Sequence, residues 1–188
     1  MIPLPNLHTQ RLLLRSLTST DQLRLTELAN DPDVARQLKN LDYPYSQQDA
    51  AEWLASLAPE WEAEQSAVFG ICLKSDQGSQ LVGVAGFVFD GRSNRAELGY
   101  WLGKDYWGQG VCTEAVVALL DFAFGQMGLH RVTAECLVGN PRSVAVLNKT
   151  GFSKEGCFRQ HFRKEADLDY QDVLTFGLLK EDWNRRNR

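Results

Sequence analysis

One ten-residue segment constrains this chain more than any other: Tyr106-Trp107-Gly108-Gln109-Gly110-Val111-Cys112-Thr113-Glu114-Ala115, which joins a strand pattern to a helix pattern through two glycines. Before it, Arg95 to Leu102 alternates in strand fashion, with Glu97, Gly99 and Trp101 on one face and Ala96, Leu98, Tyr100 and Leu102 on the other. After it, Ala115, Val116, Leu119, Leu120, Ala123 and Phe124 recur at helical spacing between Thr113 and Met127, and Gly128 supplies a stop. Glycines at such a turn let the backbone approach a ligand closely. The helix start adds unpaired N–H groups and a partial positive charge, a combination that suits a diphosphate. The segment lacks the G-K-[ST] ending of a nucleotide-hydrolysing loop and the three-glycine spacing of a dinucleotide fold, which leaves coenzyme A as the natural phosphate-bearing candidate. Taken alone, a Gly-x-Gly turn reads as an ordinary tight connection with no ligand, so the surrounding residues must decide.

Those residues alternate between strand and helix. Arg11 to Arg15 reads as a short strand, and Asp21 then precedes a helical stretch carrying Leu23, Leu25 and Leu28. Ser46 and Asp49 form a capping-box pattern ahead of Trp53, Leu54, Leu57 and Trp61, and Pro59 is expected to end or kink that helix. Ala67 to Lys74 and Gln80 to Phe89 read as a hairpin turned at Asp76-Gln77-Gly78. Val132 to Val138 reads as another strand, followed by a helix capped by Asn140, entered at Pro141 and closed by Gly151. Phe152 to Phe158 and Val173 to Leu179 complete the strands, joined by the charged stretch Arg159 to Asp169. With no repeat or linker visible, residues 1–188 read as one domain.

Charge and cysteine usage exclude several classes. A formal net charge of -4 argues against a nucleic-acid partner. The one dense basic stretch, Asn184 to Arg188, reads as a frayed, solvated end. Cys72, Cys112, Cys136 and Cys157 form no C-x-x-C pair, and no histidine cluster has zinc-ligand spacing, so no metal is expected. The cysteines read as reduced core thiols, which suits the cytoplasm. No stretch approaches the ~20 apolar residues that span a bilayer, so no membrane partner is expected, and the chain is taken as a monomer or homodimer.

Several segments together carry a family resemblance: Thr9-Gln10-Arg11-Leu12-Leu13-Leu14-Arg15, Ala96-Glu97-Leu98-Gly99-Tyr100-Trp101-Leu102, Tyr106-Trp107-Gly108-Gln109-Gly110, Asn140-Pro141-Arg142-Ser143, and Gly151-Phe152 followed by Glu155-Gly156. On these the chain resembles the Gcn5-related N-acetyltransferases, and within them the RimJ/RimL-like group that acetylates N-terminal amines of ribosomal proteins. The family loop consensus Q/R-x-x-G-x-G/A falls on Trp107, Gly110 and Cys112, and Trp107 and Cys112 depart from it. The resemblance implies an α/β (α+β) fold: a mixed, mostly antiparallel sheet of about six to seven strands flanked by helices. It also implies that the strands at Arg95 to Leu102 and Val132 to Val138 splay to admit the pantetheine arm of acetyl-CoA.

It implies roles as well. The backbone amides of Gln109, Gly110, Val111, Cys112 and Thr113 would hold the diphosphate, with Trp101 and Leu102 lining the arm. Asn140 would cap its helix and also meet the pantetheine. Ser143 would be either a first-turn hydroxyl or the group that protonates the departing thiolate. The acceptor must be a neutral amine, because an ammonium has no lone pair. Glu97 is therefore the candidate base, directly or through water, against the alternative of a surface carboxylate paired with Arg95. Direct transfer is expected, without an acyl-enzyme, with a strand N–H stabilising the oxyanion. The acceptor is a protein N-terminus, with a small amine such as an aminoglycoside or polyamine, or a non-catalytic sensor, as alternatives. Tyr43, Tyr45, Trp53 and Trp61 are read as core or lid packing, and His8, His130 and His161 as structural or exposed, His161 alone having a place in the substrate groove. Asp31, Asp33, Asp42, Glu165, Asp167, Asp169 and Asp172 form either a solvated face or a lure for a cationic amine.

Overall fold

The computed structural model describes residues 3–39, 41, 43–163 and 169–186. In chain order the elements are β1 (Leu7–His8), β2 (Leu12–Arg15), α1 (Gln22–Ala29), α2 (Pro32–Gln37), α3 (Gln47–Glu62), β3 (Ser66–Ser75), β4 (Gly78–Asp90), β5 (Arg95–Leu102), α4 (Val111–Asp121), β6 (Arg131–Leu137), α5 (Pro141–Thr150), β7 (Ser153–Phe162), β8 (Gln171–Leu179) and α6 (Lys180–Arg186). They build one 8-stranded sheet in the order β1-β2-β3-β4-β5-β6-β8-β7. The strands read from the sequence are all present, and the two-residue β1 adds the eighth by pairing with Leu13 and Leu14.

Every neighbouring pair is antiparallel except β5–β6. That pair is parallel because α4 carries the chain back across one face of the sheet. On this face Leu12, Leu14, Phe69, Ile71, Phe87, Leu98 and Val132 pack with Val111, Ala115, Leu119 and Leu120 of α4. On the opposite face Leu25 and Leu28 of α1 and Ala50 and Leu54 of α3 cover Cys72, Leu81 and Val84. The alternation of β2 and β4 between the two clusters is the period of a strand buried on both sides.

The parallel pairing ends at Leu98↔Ala134, while β5 continues through Gly99 to Leu102 and β6 through Glu135 to Leu137. Beyond that point β6 pairs with β8 alone, so the sheet opens between β5 and β6. The Gly103 N–H donates to the Val82 carbonyl at 2.9 Å, which makes Gly83↔Leu102 a non-hydrogen-bonded pair. Tyr100 and Leu102 therefore turn their main-chain N–H and C=O groups away from β4, into the opening.

Two local expectations need correction, and one element is new. Pro59 does not end its helix: α3 runs to Glu62, and the Ala63 N–H still bonds the Pro59 carbonyl at 2.9 Å. The ring removes one intrahelical donor, and the apolar face of α3 outweighs that loss. The basic tail is not frayed over its described part, because α6 buries Trp183, 5% exposed, whose Nε1 donates to Asp121 at 3.2 Å. The segment before Ser46 contains a further short helix, α2, capped by Asp31 with Pro32 at its first position. Among the described residues no helix is long and apolar enough to cross a membrane.

Candidate active site

The turn into α4 is built from two left-handed glycines, Gly108 at φ 74° and Gly110 at φ 77°. A β-carbon at Gly108 would meet nothing within 4 Å, so backbone conformation rather than space demands glycine there. Gly110 is the N-cap of α4 and has no side chain to bond the helix mouth, and the first helical bond runs from the Glu114 N–H to the Gly110 carbonyl at 3.0 Å. The N–H groups of Val111, Cys112 and Thr113 are thus left for a ligand. The Gln109 side chain turns back to donate to the Asp105 carbonyl at 2.7 Å, so only its main chain is offered.

Trp107, where the consensus has Gln or Arg, anchors the loop by donating Nε1–H to the Leu102 carbonyl at 2.9 Å. The Arg142 guanidinium lies 4.6 Å from the centre of its ring, so α5 brings a cation to the loop that position 107 itself does not supply. Burial pushes the Cys112 thiol up to about 12, which keeps it a neutral filler rather than a nucleophile at neutral pH.

Where the sheet opens, α5 delivers Ser143 beside Tyr100. The two hydroxyls are 2.8 Å apart, and Ser143 is only 9% exposed. Burial holds the Tyr100 phenol far above its ordinary range, so it stays protonated. Burial also raises the Cys136 thiol, with the nearby Ser143 side chain acting to lower it. Asn140 accepts the Ser143 N–H at 3.0 Å, capping α5, and lines the same groove. Trp101 and Leu102 both line the groove, and Leu102 is buried.

On the opposite face of β5, Glu97 points into the α1–α3 side of a groove of about 640 Å³. Arg95 is engaged by Asp90 at 3.0 Å, and Glu97 has no ion-pair partner among the described residues. The register Glu97↔Thr133 puts Glu135 on this same face, where Lys39 pairs with it at 2.5 Å. Trp53 and Tyr45 wall the groove, Trp61 packs into the α4-side core, and Tyr43 is exposed.

Three of the acidic residues make local bonds, and Asp169 is exposed. Asp31 caps α2 at 2.7 Å from the Asp33 N–H, Asp33 pairs with Lys104 at 2.7 Å, and Asp172 accepts the Gln160 N–H at 2.7 Å. Asp42, Glu165 and Asp167 lie outside the described residues. His8 and His130 are exposed, and the ring of His161 rests 4.9 Å from Phe158 on β7.

Glu97, Ser143, Asn140 and the residues from Gly110 to Thr113 line this one groove, with Gln109 next to it in the turn. Sequence reasoning missed Tyr100, Arg142 and the Lys39–Glu135 pair. Tyr100 alternates with core leucines and reads as a core residue until α5 is seen beside it, and the other two depend on contacts between distant segments.

This arrangement has counterparts. The acetyltransferase (GNAT) domain family matches residues 11–153. The N-acetyltransferase p20 of Bacillus licheniformis is 32% identical over 180 residues, 94% of this chain and 97% of that protein. The ribosomal-protein-serine acetyltransferase of Escherichia coli is 38% identical over 103 residues, 53% of this chain and 55% of that protein. The RimJ of Mycobacterium smegmatis, solved in complex with CoA-disulfide, superposes with a TM-score of 0.81 at 21% identity, covering 95% of this chain and 88% of that one. The family match takes in β2, the glycine turn, the sheet opening and all of α5; the chain belongs to the GNAT acetyltransferase family.

Proposed function

We propose that this chain transfers an acetyl group from acetyl-CoA to a primary amine, and that the acceptor is the N-terminal amine of a protein, a ribosomal one by analogy with the named relatives. The observation that carries this reading is the continuity of three features. A helix mouth at Val111 to Thr113 whose N–H groups receive no side-chain cap leads to an open strand edge at Tyr100 and Leu102, and that edge leads to the Ser143–Tyr100 hydroxyl pair. The cofactor fits these residues: the αL glycines clear the diphosphate cradle, and the gap between β5 and β6 is bordered by main-chain groups that no strand satisfies.

Acetyl-CoA supplies the thioester carbon that a neutral amine attacks. The helix-mouth amides and Arg142 would hold its phosphates, and the N–H groups of Tyr100 and Leu102, turned into the sheet opening, would stabilise the oxyanion. Glu97 accepts the amine's proton, directly or through a water, and Ser143, backed by the Tyr100 phenol, returns a proton to the sulfur as the carbon–sulfur bond breaks. Proton removal and delivery thus lie on opposite faces of β5, so base and acid do not neutralise one another. A cytoplasmic location belongs to the same reading, supported by four free cysteines.

A mass-detected screen of acetyl-CoA against N-terminal peptides, aminoglycosides and polyamines tests the acceptor. A preference for peptides is expected, and transfer to no amine at all, with a Glu97→Gln variant indistinguishable from the parent, would make the chain a sensor. An α-amine has a reference pKa of ~7.7 to 8.0, so the Glu97→Gln defect should be larger at pH 6 than at pH 9, where solvent has already deprotonated the acceptor.

A further inference from the structure

The segment Thr9-Gln10-Arg11 takes no part in the chemistry above, yet it grips the mouth of α4. Glu114, in the first turn of that helix, accepts three bonds from it: the Thr9 hydroxyl at 2.6 Å, the Arg11 N–H at 3.0 Å and the Arg11 Nε at 2.6 Å. The other end of the Arg11 fork donates to the Gln109 carbonyl at 3.1 Å. The segment is itself anchored, because the Lys74 ammonium donates to the Thr9 carbonyl at 2.6 Å and the Lys74 N–H to the Arg11 carbonyl at 2.9 Å.

Two problems of a diphosphate loop are met by this one side chain. A carboxylate in the first helical turn suits the helix dipole but repels an anion bound beside it. Burial pushes the Glu114 carboxyl up, but the bonds from Thr9 and Arg11 outweigh it and keep the group ionised, with the guanidinium offsetting its charge. The second problem is the peptide between Gln109 and Gly110. In a planar trans peptide, C=O and N–H point in opposite directions, so fixing the Gln109 carbonyl fixes the Gly110 N–H. A left-handed glycine tolerates either orientation of the preceding peptide, and the flipped one would aim a carbonyl oxygen where phosphate must sit.

We infer that Arg11 is a positioning residue for cofactor binding: by bridging Glu114 and the Gln109 carbonyl it holds the 109–110 peptide with its N–H toward the diphosphate. This rests on the acetyl-CoA reading. Arg11→Ala should weaken coenzyme A binding about tenfold by calorimetry. The ratio of kcat/KM for acetyl-CoA to that for acetyl-pantetheine, which lacks the diphosphate, should fall by a similar factor. In the ligand-free protein, amide exchange at Gly110 and Val111 should accelerate while the core of α5 is unchanged. Arg11→Lys keeps the charge but cannot fork, so it should lose affinity as Ala does; it also serves if Arg11→Ala fails to fold. Unchanged coenzyme A affinity in both variants, equal losses with both donors, or full recovery with Lys would each overturn the role of Arg11. A parent protein that does not bind coenzyme A overturns the cofactor reading as well, so the two failures are told apart by the parent alone.

Discussion

Ser143 gains its meaning from a neighbour that strand periodicity hides. Read along β5, Tyr100 alternates with Leu98 and Leu102, and only the docking of α5 turns its hydroxyl toward a partner 2.8 Å away. Because burial holds the phenol protonated, the pair can pass a proton outward without either group ionising first. If Ser143 delivers the proton to the departing sulfur, Ser143→Ala should lower kcat by about 100-fold, at the low end of general-acid effects, with KM for acetyl-CoA little changed. Tyr100→Phe should give a smaller loss of the same kind. Steady-state kinetics in which Ser143→Ala matches the parent would leave the hydroxyl as a helix-turn group. Asn140 was readable from sequence as a cap, since Asn before Pro is a local signal, and its bond to the Ser143 N–H fixes the turn that presents the serine.

At the scale of elements, legibility followed locality. The hairpin turned at Asp76-Gln77, the capping box of α3 and the left-handed Gly151 closing α5 are each set by a few adjacent residues, and each stands where the sequence placed it. Pro59 as a helix end and the basic tail as a frayed one were misread for the opposite reason: burial of Trp183 against Phe124 and the core-facing side of α3 are tertiary effects that override local propensity. The start of α1 shows how such tertiary fixing titrates. Asp21, 6% exposed, takes both ends of the Arg15 fork at 2.7 and 2.8 Å and the Thr18 N–H at 2.9 Å, tying the end of β2 to the helix entrance. Burial pushes its carboxyl up, but these bonds together hold it below the ordinary value of 3.8. A depressed folded-state pKa contributes stability above the unfolded value and loses it as pH falls through the folded one. Asp21→Asn should therefore cost about 2 kcal/mol at pH 7, and the variant's stability should fall less steeply than the parent's below pH ~4. Urea titrations at both pH values check this, and an undiminished gap at pH 2 would show that the carboxylate charge is not its source.

For the whole molecule, the opening between β5 and β6 divides the sheet into two blocks of strands that meet through the short parallel ladder from Arg95↔Arg131 to Leu98↔Ala134 and through helix packing on one face. The proposed cofactor would lie where that ladder stops, with its diphosphate on α4 and its arm along the free edges of both blocks. Binding there should couple the blocks as well as add contacts. At a concentration 100 times its Kd, coenzyme A should raise stability by about 2.7 kcal/mol. For a chain of this length that is a thermal midpoint shift of about 5 to 10 °C. The location of the added protection is the sharper measurement. Amide exchange should slow at Tyr100 and Leu102 on β5 and also across the gap at Glu135 to Leu137 and in the first turn of α5, because a ligand wedged between the blocks restrains both. Slowing confined to Gly110 to Glu114 would mean that the phosphates dock at the helix mouth while the arm stays outside the sheet, and then neither Ser143 nor the β5 edge could reach the thioester.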